Sequence, residues 1–515
     1  MKSSVFGGPF PDAVGETGRP DYPSAVHMLA AAAEASPHAP ALICGTERLN
    51  YGEYGRCVAA FAAKLSALGA KGERVGFLMS NSNEALIGMF AALAAGAQAA
   101  FFNPFYTGRE LAPLIADAAP RILICQAPFA RAAADFGVAH LLIFGGDGGL
   151  GLDQWRDASG PGLTGPFPRG DDPATLLYTG GTTGMPKGVD HTHGEIMSFV
   201  KATDDLWPMR PEAETWINAA PIFHVWGSGM GGFIPIYRRG AMITVARFDA
   251  ASMIAEMEEH RVSVLSGGPA AFYNGLIGAP NFADADLTSL EYCFGGGSPF
   301  AGDTLRRWQA ATGAPILEAY GMSEAAPISG ARMDDPVKPG TVGRPVRETH
   351  LEIVDLEKGE AVLPIGEVGE IRIKGPQAMK GYRNRPDETR AQLRGGWLYT
   401  GDIGRMDEDG YLYIVDRAKD MVIVGGYNVY PREIDEVLFS HPAIKEAAAI
   451  GVPDEYKGEV IWAHLVLEDG AQASEAEILA YCAENLVAYK RPQGITFTDA
   501  LPKTPANKID RKALR

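Results

Sequence analysis

Cysteine is scarce in this sequence, and the few cysteines lie too far apart along the chain to act together. No Cys-x-x-Cys pair occurs among the five, which are Cys44, Cys57, Cys125, Cys293 and Cys482. This spacing argues against a zinc knuckle and against a disulfide framework. We therefore expect a reducing compartment and a cytoplasmic protein.

Positive charge is also limited. The chain carries 46 Lys and Arg against 63 Asp and Glu, which gives a formal net charge of −17. A charge of this sign repels nucleic acids and anionic membrane surfaces, so we expect neither as a partner. A polyanionic ligand would have to be met by a local cluster of cations.

Long apolar runs are almost missing. One segment, residues 85–102, has no charged residue over 18 positions, but it consists mostly of Ala and Gly and contains Gln98. Alanine contributes little to membrane insertion, so we expect no membrane span here. The segment instead predicts a buried helix to about Ala95, a stop at Gly96 and a short strand into Phe102.

The length of 515 residues predicts two or more domains. Up to about residue 317, amphipathic helices such as 25–35 alternate with short apolar strands such as 121–125. This alternation predicts parallel strands that are joined by crossover helices, so the front portion is α/β.

After Gly340 the pattern changes to short strands with close turns, which predicts a β-rich subdomain. Residues 407–410, Asp-Glu-Asp-Gly, lack the oxygen spacing and the closing Glu of a calcium loop and predict a hairpin turn. We place a boundary near residue 416. The predicted architecture is a large N-terminal domain of α/β subdomains plus the β-rich subdomain, residues 1–416, and a small mobile C-terminal α+β domain, residues 417–515.

The most informative stretch is residues 178–189, Tyr-Thr-Gly-Gly-Thr-Thr-Gly-Met-Pro-Lys-Gly-Val. Its glycines let the backbone approach an anion, its threonine hydroxyls can donate hydrogen bonds, and Lys187 adds a positive charge. The apolar residues 174–178 before it predict a buried strand, so the loop should leave a sheet edge. The pattern differs from a Walker loop, and an ordinary Gly/Thr hairpin turn stays open as the alternative.

Six further motifs follow in a fixed order. They are Tyr-Gly-Met-Ser-Glu at 320–324, Gly-Glu-Val-Gly-Glu at 366–370, Tyr-Thr-Gly-Asp at 399–402, Asp-Arg at 416–417, Gly-Gly-Tyr-Asn at 425–428 with Tyr-Pro at 430–431, and Pro-Lys-Thr-Pro-Ala-Asn-Lys at 502–508. With the phosphate loop, this set resembles the ANL superfamily of adenylate-forming enzymes and, within it, the acyl-CoA synthetases. The resemblance runs from about residue 23 to residue 515.

The resemblance implies a nucleotide site that uses ATP and Mg²⁺. It assigns the β- and γ-phosphates to the loop with Thr179, Gly181, Thr182, Thr183, Gly184 and Lys187. It makes Glu324 the Mg²⁺ ligand, which suits a hard cation. The adenine would lie between Tyr320, in a motif with Gly321 and Ser323, and a backbone wall of Gly296, Gly297 and Ser298. Asp402 would bind the ribose hydroxyls, and Arg417 would be a second nucleotide contact.

Each of these residues also has a plainer interpretation that does not depend on the family. Glu324 can form a surface salt bridge, Tyr320 can belong to the core and Asp402 can belong to a simple turn. A lysine as close to the C-terminus as Lys508 is ordinarily solvated.

The resemblance also implies a mechanism with two steps and two positions of the C-terminal domain. In the first step a carboxylate attacks the α-phosphorus of ATP, pyrophosphate leaves, and Lys508 neutralises the developing charge. In the second step the thiol of CoA attacks the acyl-AMP and AMP leaves. The domain would turn about a hinge at Lys419, and Gly425 and Gly426 would then line the path for pantetheine. A bare turn is the alternative for this glycine pair.

The acid substrate is the least constrained part of this interpretation. His224 resembles the family residue that gates the acyl pocket, Trp226 is a candidate wall or lid, and four glycines between 227 and 232 suggest a deep apolar channel. A helix packed into the core with a satisfied histidine is the alternative. We expect a medium-chain or long-chain fatty acid, with an aryl acid of the coumarate or benzoate type as the alternative.

Three other functions compete with this one. An amino-acid adenylation domain would carry an acidic residue near Phe223 and His224, and none stands there. A luciferase-like oxidative activity and a non-catalytic nucleotide-binding regulator are more distant alternatives. A homodimer is compatible with the sequence.

Two departures from the family pattern stand out. Gly180 occupies a position where a serine is usual, which removes one hydroxyl from the phosphate loop. Asp190 and His191 are more polar than expected directly after Val189, and the sequence offers no explanation for them.

Overall fold

The computed structural model describes most of the chain. The described residues are 20–146, 149–156, 162–179, 186–298, 300, 302–336, 338–417, 420–424, 427–454, 457–504 and 509–515.

The first part of the chain alternates helices and strands, as the pattern predicted. Its elements are α1 (Ala25–Ala35), β1 (Pro40–Cys44), β2 (Glu47–Asn50), α2 (Tyr51–Ala67), β3 (Arg74–Leu78), α3 (Asn83–Ala94), β4 (Gln98–Phe101), α4 (Gly108–Ala118), β5 (Ile122–Gln126), α5 (Ala130–Ala134), β6 (His140–Phe144), α6 (Asp153–Arg156), β7 (Pro173–Thr179), β8 (Lys187–Thr192) and α7 (His193–Leu206). Six strands form one sheet in the order β6-β5-β3-β4-β7-β8. All neighbours are parallel except β7 and β8, which are antiparallel.

Helix α3 and strand β4 confirm the interpretation of the uncharged segment. Residues 85–93 of the helix are all buried, which explains why its sequence carries no polar face. Gly96, at φ +73°, ends the helix before the strand begins. None of the helices in the described ranges is both long enough and apolar enough to cross a membrane.

The second part builds a larger sheet. Its elements are β9 (Thr215–Asn218), α8 (Val225–Ser228), α9 (Ile234–Tyr237), β10 (Ala241–Thr244), α10 (Ala250–Glu259), β11 (Val264–Gly268), α11 (Ala270–Ile277), β12 (Tyr292–Gly296), α12 (Gly302–Thr312), β13 (Ile316–Met322), β14 (Ala325–Gly330) and β15 (Arg344–Pro345). The sheet order is β15-β14-β13-β12-β11-β9-β10-β1-β2. The central strands are parallel, and antiparallel pairs close both ends.

The third part is the predicted β-rich subdomain. It contains β16 (His350–Val354), β17 (Gly369–Lys374), α13 (Pro386–Gln392), β18 (Leu393–Arg394), β19 (Trp397–Met406) and β20 (Leu412–Arg417). All strand pairs in this sheet are antiparallel. The expected hairpin turn is present between β19 and β20, where the Gly410 N–H donates to the Asp407 carbonyl at 3.0 Å.

The last part has its own sheet and its own core. Its elements are β21 (Val422–Val424), β22 (Tyr427–Val429), α14 (Pro431–Phe439), β23 (Ile444–Asp454), β24 (Gly458–Leu467), α15 (Glu475–Asn485) and β25 (Gly494–Phe497). A cluster of buried apolar side chains, among them Val422, Ile434 and Ile461, fills the space between this sheet and its helices. The protein therefore has a large N-terminal α/β domain and a smaller C-terminal domain, which confirms the predicted fold class.

Local sequence explains where several helices begin. A capping box, in which a polar side chain and a Glu three residues later satisfy each other's backbone N–H groups, starts α2 at Asn50, α4 at Thr107 and α7 at Thr192. The cap residue Thr192 is also the last residue of β8, so α7 begins directly where that strand ends.

Candidate functional site

The predicted adenine and ribose residues lie together. Tyr320, near the end of β13, donates a hydrogen bond from its hydroxyl to Asp402 Oδ2 at 2.6 Å. Asp402 on β19 pairs with Arg417 on β20, and the Arg417 Nε lies 3.4 Å from Asp402 Oδ1. Burial and the neighbouring Asp402 raise the pKa of Tyr320 well above its ordinary value, so the phenol stays a neutral donor.

The predicted backbone wall stands beside Tyr320. Strand β12 pairs with β13 so that Gly296 lies next to Ala319. A Cβ at position 296 would lie 2.5 Å from the Ala319 oxygen and 2.9 Å from the Trp226 ring, so only glycine fits. Gly297 follows with a φ of +78°. The Ser298 hydroxyl accepts a hydrogen bond from the Ala270 N–H at 3.2 Å, which ties the wall to the start of α11.

Glu324 occupies the turn between β13 and β14, in the same motif as Gly321 and Ser323. Its carboxylate is buried and accepts a hydrogen bond from the Tyr382 hydroxyl at 2.6 Å. The ring of the same tyrosine carries Lys187 on its face, with the Lys187 Nζ 4.6 Å from the ring centroid. Tyr382 therefore joins the predicted metal ligand to the predicted phosphate-binding cation.

Tyr382 was missed in the sequence analysis. Its hydrogen-bonding partner Glu324 lies 58 positions away along the chain, and no motif near residue 382 points to that partner. The only local signal is the aromatic residue after Gly381, which also occurs in ordinary turns.

The electrostatics of Glu324 suit a bound cation. Burial raises the pKa of Glu324, while the Tyr382 hydroxyl and the Lys187 charge act in the opposite direction. Within the described part of the chain, no group of three or more His, Cys, Asp or Glu residues could hold a metal ion. A cation beside Glu324 would therefore need further oxygens from a ligand, which fits the tendency of Mg²⁺ to combine one or two carboxylates with substrate phosphates and waters.

The two ends of the predicted phosphate loop lie on paired strands. Thr179 and Lys187 face each other across β7 and β8, and the Thr179 hydroxyl donates to the Lys187 carbonyl at 3.4 Å. The Tyr178 hydroxyl donates to Asp117 Oδ2 at 2.8 Å. Because β8 is the last strand of its sheet, the loop leaves a sheet edge, as predicted.

Several predicted site residues lie outside the described residues. They are Gly181, Thr182, Thr183 and Gly184 of the phosphate loop, with the exceptional Gly180, together with Lys419, Gly425, Gly426 and Lys508.

The region around His224 requires a correction. His224 caps α8, with its Nδ1 accepting from the Trp226 N–H at 3.2 Å, and the Trp226 indole N–H donates to the Ser266 hydroxyl at 3.1 Å. The inference of a deep channel from the glycines was wrong. A Cβ at Gly231 would lie 2.7 Å from Asn218 and one at Gly232 would lie 2.8 Å from Met89.

The two other glycines of this run, Gly227 and Gly229, are crowded in the same way by Pro221 and Phe199. The cavity beside Gly227 and Gly231 measures about 10 Å³, which is room for about one water. These glycines permit close packing and leave no open space for an acyl chain.

The C-terminal domain contacts the large domain at the end of β20. In α14, the Arg432 N–H donates to Asp416 Oδ2 at 3.0 Å, and the guanidinium donates to the Ile414 carbonyl at 2.5 Å. Glu318 lies two residues before Tyr320 on β13. Burial raises the pKa of Glu318 to about 8, and the Arg432 charge opposes this rise.

Comparison with known proteins agrees with this architecture. Residues 29–383 match the family model of the AMP-binding enzyme, and residues 433–508 match the model of the AMP-binding enzyme C-terminal domain. A long-chain-fatty-acid–CoA ligase of Bacillus subtilis is 41% identical over 345 residues, which are 67% of this chain and 61% of that protein. A feruloyl-CoA synthase of Amycolatopsis is 36% identical over 494 residues, 94% of this chain and 96% of that protein.

Solved structures show the same fold. The ATP-bound structure of MatB from Rhodopseudomonas palustris has a TM-score of 0.87 and 32% identity, and the match covers 96% of this chain and 98% of that one. Fold and matched domains together define an adenylate-forming enzyme of the ANL superfamily. The chain belongs to the AMP-binding enzyme family, and within it to the AMP-forming acyl-CoA synthetases, which are acid–thiol ligases.

Proposed function

We propose that this ligase activates a medium-chain or long-chain fatty acid with ATP and passes the acyl group to the thiol of CoA. The proposal of ATP binding rests on two sets of contacting side chains that meet at β13 and the turn after it. One is Tyr320 with Asp402 and Arg417, and the other is Glu324 with Tyr382 and Lys187.

The first group suits a nucleoside. Asp402 is nearly buried and presents a carboxylate that can accept hydrogen bonds from two ribose hydroxyls. The Tyr320 ring and the backbone at Gly296 and Gly297 would flank the planar base on its two sides. Arg417 adds a positive charge at the rim.

The second group suits the triphosphate. Lys187 and the loop that precedes it would bind the β- and γ-phosphates, and Glu324 would hold Mg²⁺. A bound Mg²⁺ would neutralise phosphate charge there. The Tyr382 hydroxyl keeps the Glu324 carboxylate oriented toward the strand that carries Lys187.

The two reactions would use two positions of the C-terminal domain. We propose that the domain comprises residues 417–515 and turns about Lys419. In the first position Lys508 stabilises the charge on the α-phosphorus while the substrate carboxylate attacks and pyrophosphate leaves. In the second position Gly425 and Gly426 admit the CoA thiol, which attacks the acyl carbonyl and releases AMP. A free thiol has a pKa of about 8.5, so thiolate is available without a dedicated base.

The fatty acid is favoured by the relatives that carry the name long-chain-fatty-acid–CoA ligase, in Bacillus subtilis and Salmonella typhimurium. The feruloyl-CoA synthase relative and a structural neighbour that is an anthranilate CoA ligase keep an aryl acid as the second candidate. No acidic side chain stands at Phe223 or His224 to pair with an ammonium group, which argues against an amino acid.

The test is CoA-dependent release of AMP with a panel of acids that includes octanoate, palmitate, benzoate and ferulate. We expect the fatty acids to give the highest kcat/KM. Preference for benzoate or ferulate over octanoate would contradict the fatty-acid proposal and leave the ligase reaction intact. Exchange of labelled pyrophosphate into ATP checks the first step separately, and its absence with every acid would contradict adenylate formation.

A further inference from the structure

His191 on β8 is the polar residue for which the sequence offered no role, and the structure shows its contacts. Its side chain is buried, with 9% of its surface exposed. The Nε2 lies 2.8 Å from the Ser323 carbonyl oxygen, and the Nδ1 lies 3.3 Å from the Thr175 hydroxyl. A carbonyl oxygen can only accept, so Nε2 carries the hydrogen and Nδ1 accepts from Thr175.

The carbonyl that His191 holds belongs to the turn that carries Glu324. Ser323 and Glu324 are the two residues between β13 and β14, and neither has a positive φ. Two-residue hairpin turns usually need positive φ to match the twist of their strands, and here a register irregularity between Tyr320 and Met322 and outside contacts accompany a turn without it. Its two carbonyls have such contacts: His191 donates to Ser323, and the Met379 N–H donates to Glu324 at 2.8 Å.

The same strand carries the predicted phosphate cation. Side chains at alternate positions of a strand share a face, so Lys187, Val189 and His191 point to one side of β8. Val189 is buried there in one apolar cluster with Ala325 and Tyr382. Strand β8 therefore contacts the Glu324 turn directly through His191 at the backbone, and Tyr382, which pairs with Val189 of β8, contacts the Glu324 carboxylate.

We propose that His191 is a positioning residue for Mg²⁺–nucleotide binding. By holding the Ser323 carbonyl, it fixes the place of the Glu324 carboxylate relative to Lys187. The inference rests on the proposed function, in which Glu324 holds Mg²⁺ and Lys187 meets the phosphates. Burial lowers the pKa of His191, so the imidazole stays neutral and acts through its N–H group.

The companion residue Asp190 has a different task. Its side chain points to the opposite face, where Oδ1 accepts a hydrogen bond from the Gln98 amide at 2.8 Å and Oδ2 lies 4.0 Å from the Arg383 guanidinium. The first contact ties β8 to β4 inside its own sheet, and the second reaches the residue that follows Tyr382, but neither contact is with Ser323 or Glu324. Of this pair, only His191 hydrogen-bonds to the turn that carries Glu324.

The test compares His191→Leu with His191→Gln by calorimetric titration of two ligands. One is the non-hydrolysable ATP analogue with a methylene between the α- and β-phosphates, added with Mg²⁺, and the other is AMP. We expect His191→Leu to weaken binding of the analogue about tenfold and to change AMP binding less than about twofold, because AMP does not reach Glu324. His191→Gln should recover most of the loss, since its amide offers an N–H to Ser323. Thr175→Val is the matched control, because it removes the other hydrogen bond of the ring and leaves the one to Ser323.

The outcomes separate this inference from the function on which it rests. Equal weakening of both ligands by His191→Leu, no weakening of either, or no recovery with His191→Gln would overturn the positioning role. If the Leu variant does not fold, His191→Met, which also lacks an N–H group, takes its place, and the same comparison with His191→Gln and Thr175→Val decides. Glu324→Gln should abolish the Mg²⁺ dependence of analogue binding. If it does not, the assignment of Mg²⁺ to Glu324 fails, whatever the His191 variants show.

Discussion

Replacement of Glu318 by Gln should stabilise the protein, and more so as the pH rises. Glu318 is a buried carboxyl on β13, and burial raises its pKa from the ordinary 4.5 to about 8. The raised pKa means that the folded protein keeps a proton which the unfolded chain loses. Below about pH 4.5, ionisation of Glu318 therefore does not change the free energy of unfolding. Above that pH it lowers the free energy of unfolding increasingly, until the pH passes 8. Glutamine has the same shape and does not titrate.

The size of the effect follows from this pKa. A tenfold change in proton affinity is worth about 1.4 kcal/mol, so the ionisable side chain costs about 2 kcal/mol at pH 6 and about 4 kcal/mol at pH 7.5. These values are upper limits, since Gln brings an amide N–H₂ that needs partners of its own. The quantity to follow is how the difference in the free energy of unfolding between the variant and the wild type grows with pH.

Thermal unfolding of both proteins at pH 5.5, 6.5 and 7.5 measures this growth. The melting temperature of Glu318→Gln should exceed that of the wild type by a margin that widens at each step. Glu484→Gln is the control, because Glu484 is an exposed glutamate on α15 and is not among the groups that shift the pKa of Glu318. It should change stability by a similar small amount at each pH. A Glu318→Gln margin that is constant or shrinks with rising pH would refute the reasoning.

Three further predictions address the site. Tyr382→Phe keeps the ring beneath Lys187 but removes the donor to Glu324, so kcat/KM for ATP should fall about tenfold. Because that hydroxyl lowers the pKa of Glu324, the acid limb of the rate profile should move to higher pH, and an unchanged profile would contradict this role. Lys508→Ala should abolish acyl-AMP formation and spare thioester synthesis from supplied acyl-AMP, whereas equal loss of both would argue against two domain positions. Trp226→Ala should raise kcat/KM for the bulkier acids of the panel about tenfold relative to the smaller ones. An unchanged ranking of the acids would exclude Trp226 as a wall of the acyl site.

Local sequence was sufficient for features that depend on neighbours along the chain. The predicted helix at 25–35 coincides with α1, and the uncharged segment divides into α3 and β4 at Gly96 as expected. In these segments the periodicity and the end signals agree with the packing, so no distant contact had to be known.

Contacts between distant segments were predictable only through the motifs. Tyr320 and Asp402 were assigned to one nucleotide by resemblance, and the structure places them in a direct hydrogen bond. Tyr382 and His191 belonged to no such motif and were missed or left unexplained. Both contact the turn between β13 and β14, and the packing that brings these distant segments together cannot be predicted from the local pattern.

The glycines at 227–232 show why small residues alone do not predict a channel. A glycine is required wherever a side chain would collide, whether the colliding group is a ligand or the protein itself. Here Phe199, Asn218 and Met89 already occupy the space beside them. Room for an acyl group at this place must come from side chains that move, and Trp226 is held by its hydrogen bond to Ser266. If acids bind here, we expect selection among them to depend on the cost of moving packed groups more than on the volume of a ready-made pocket.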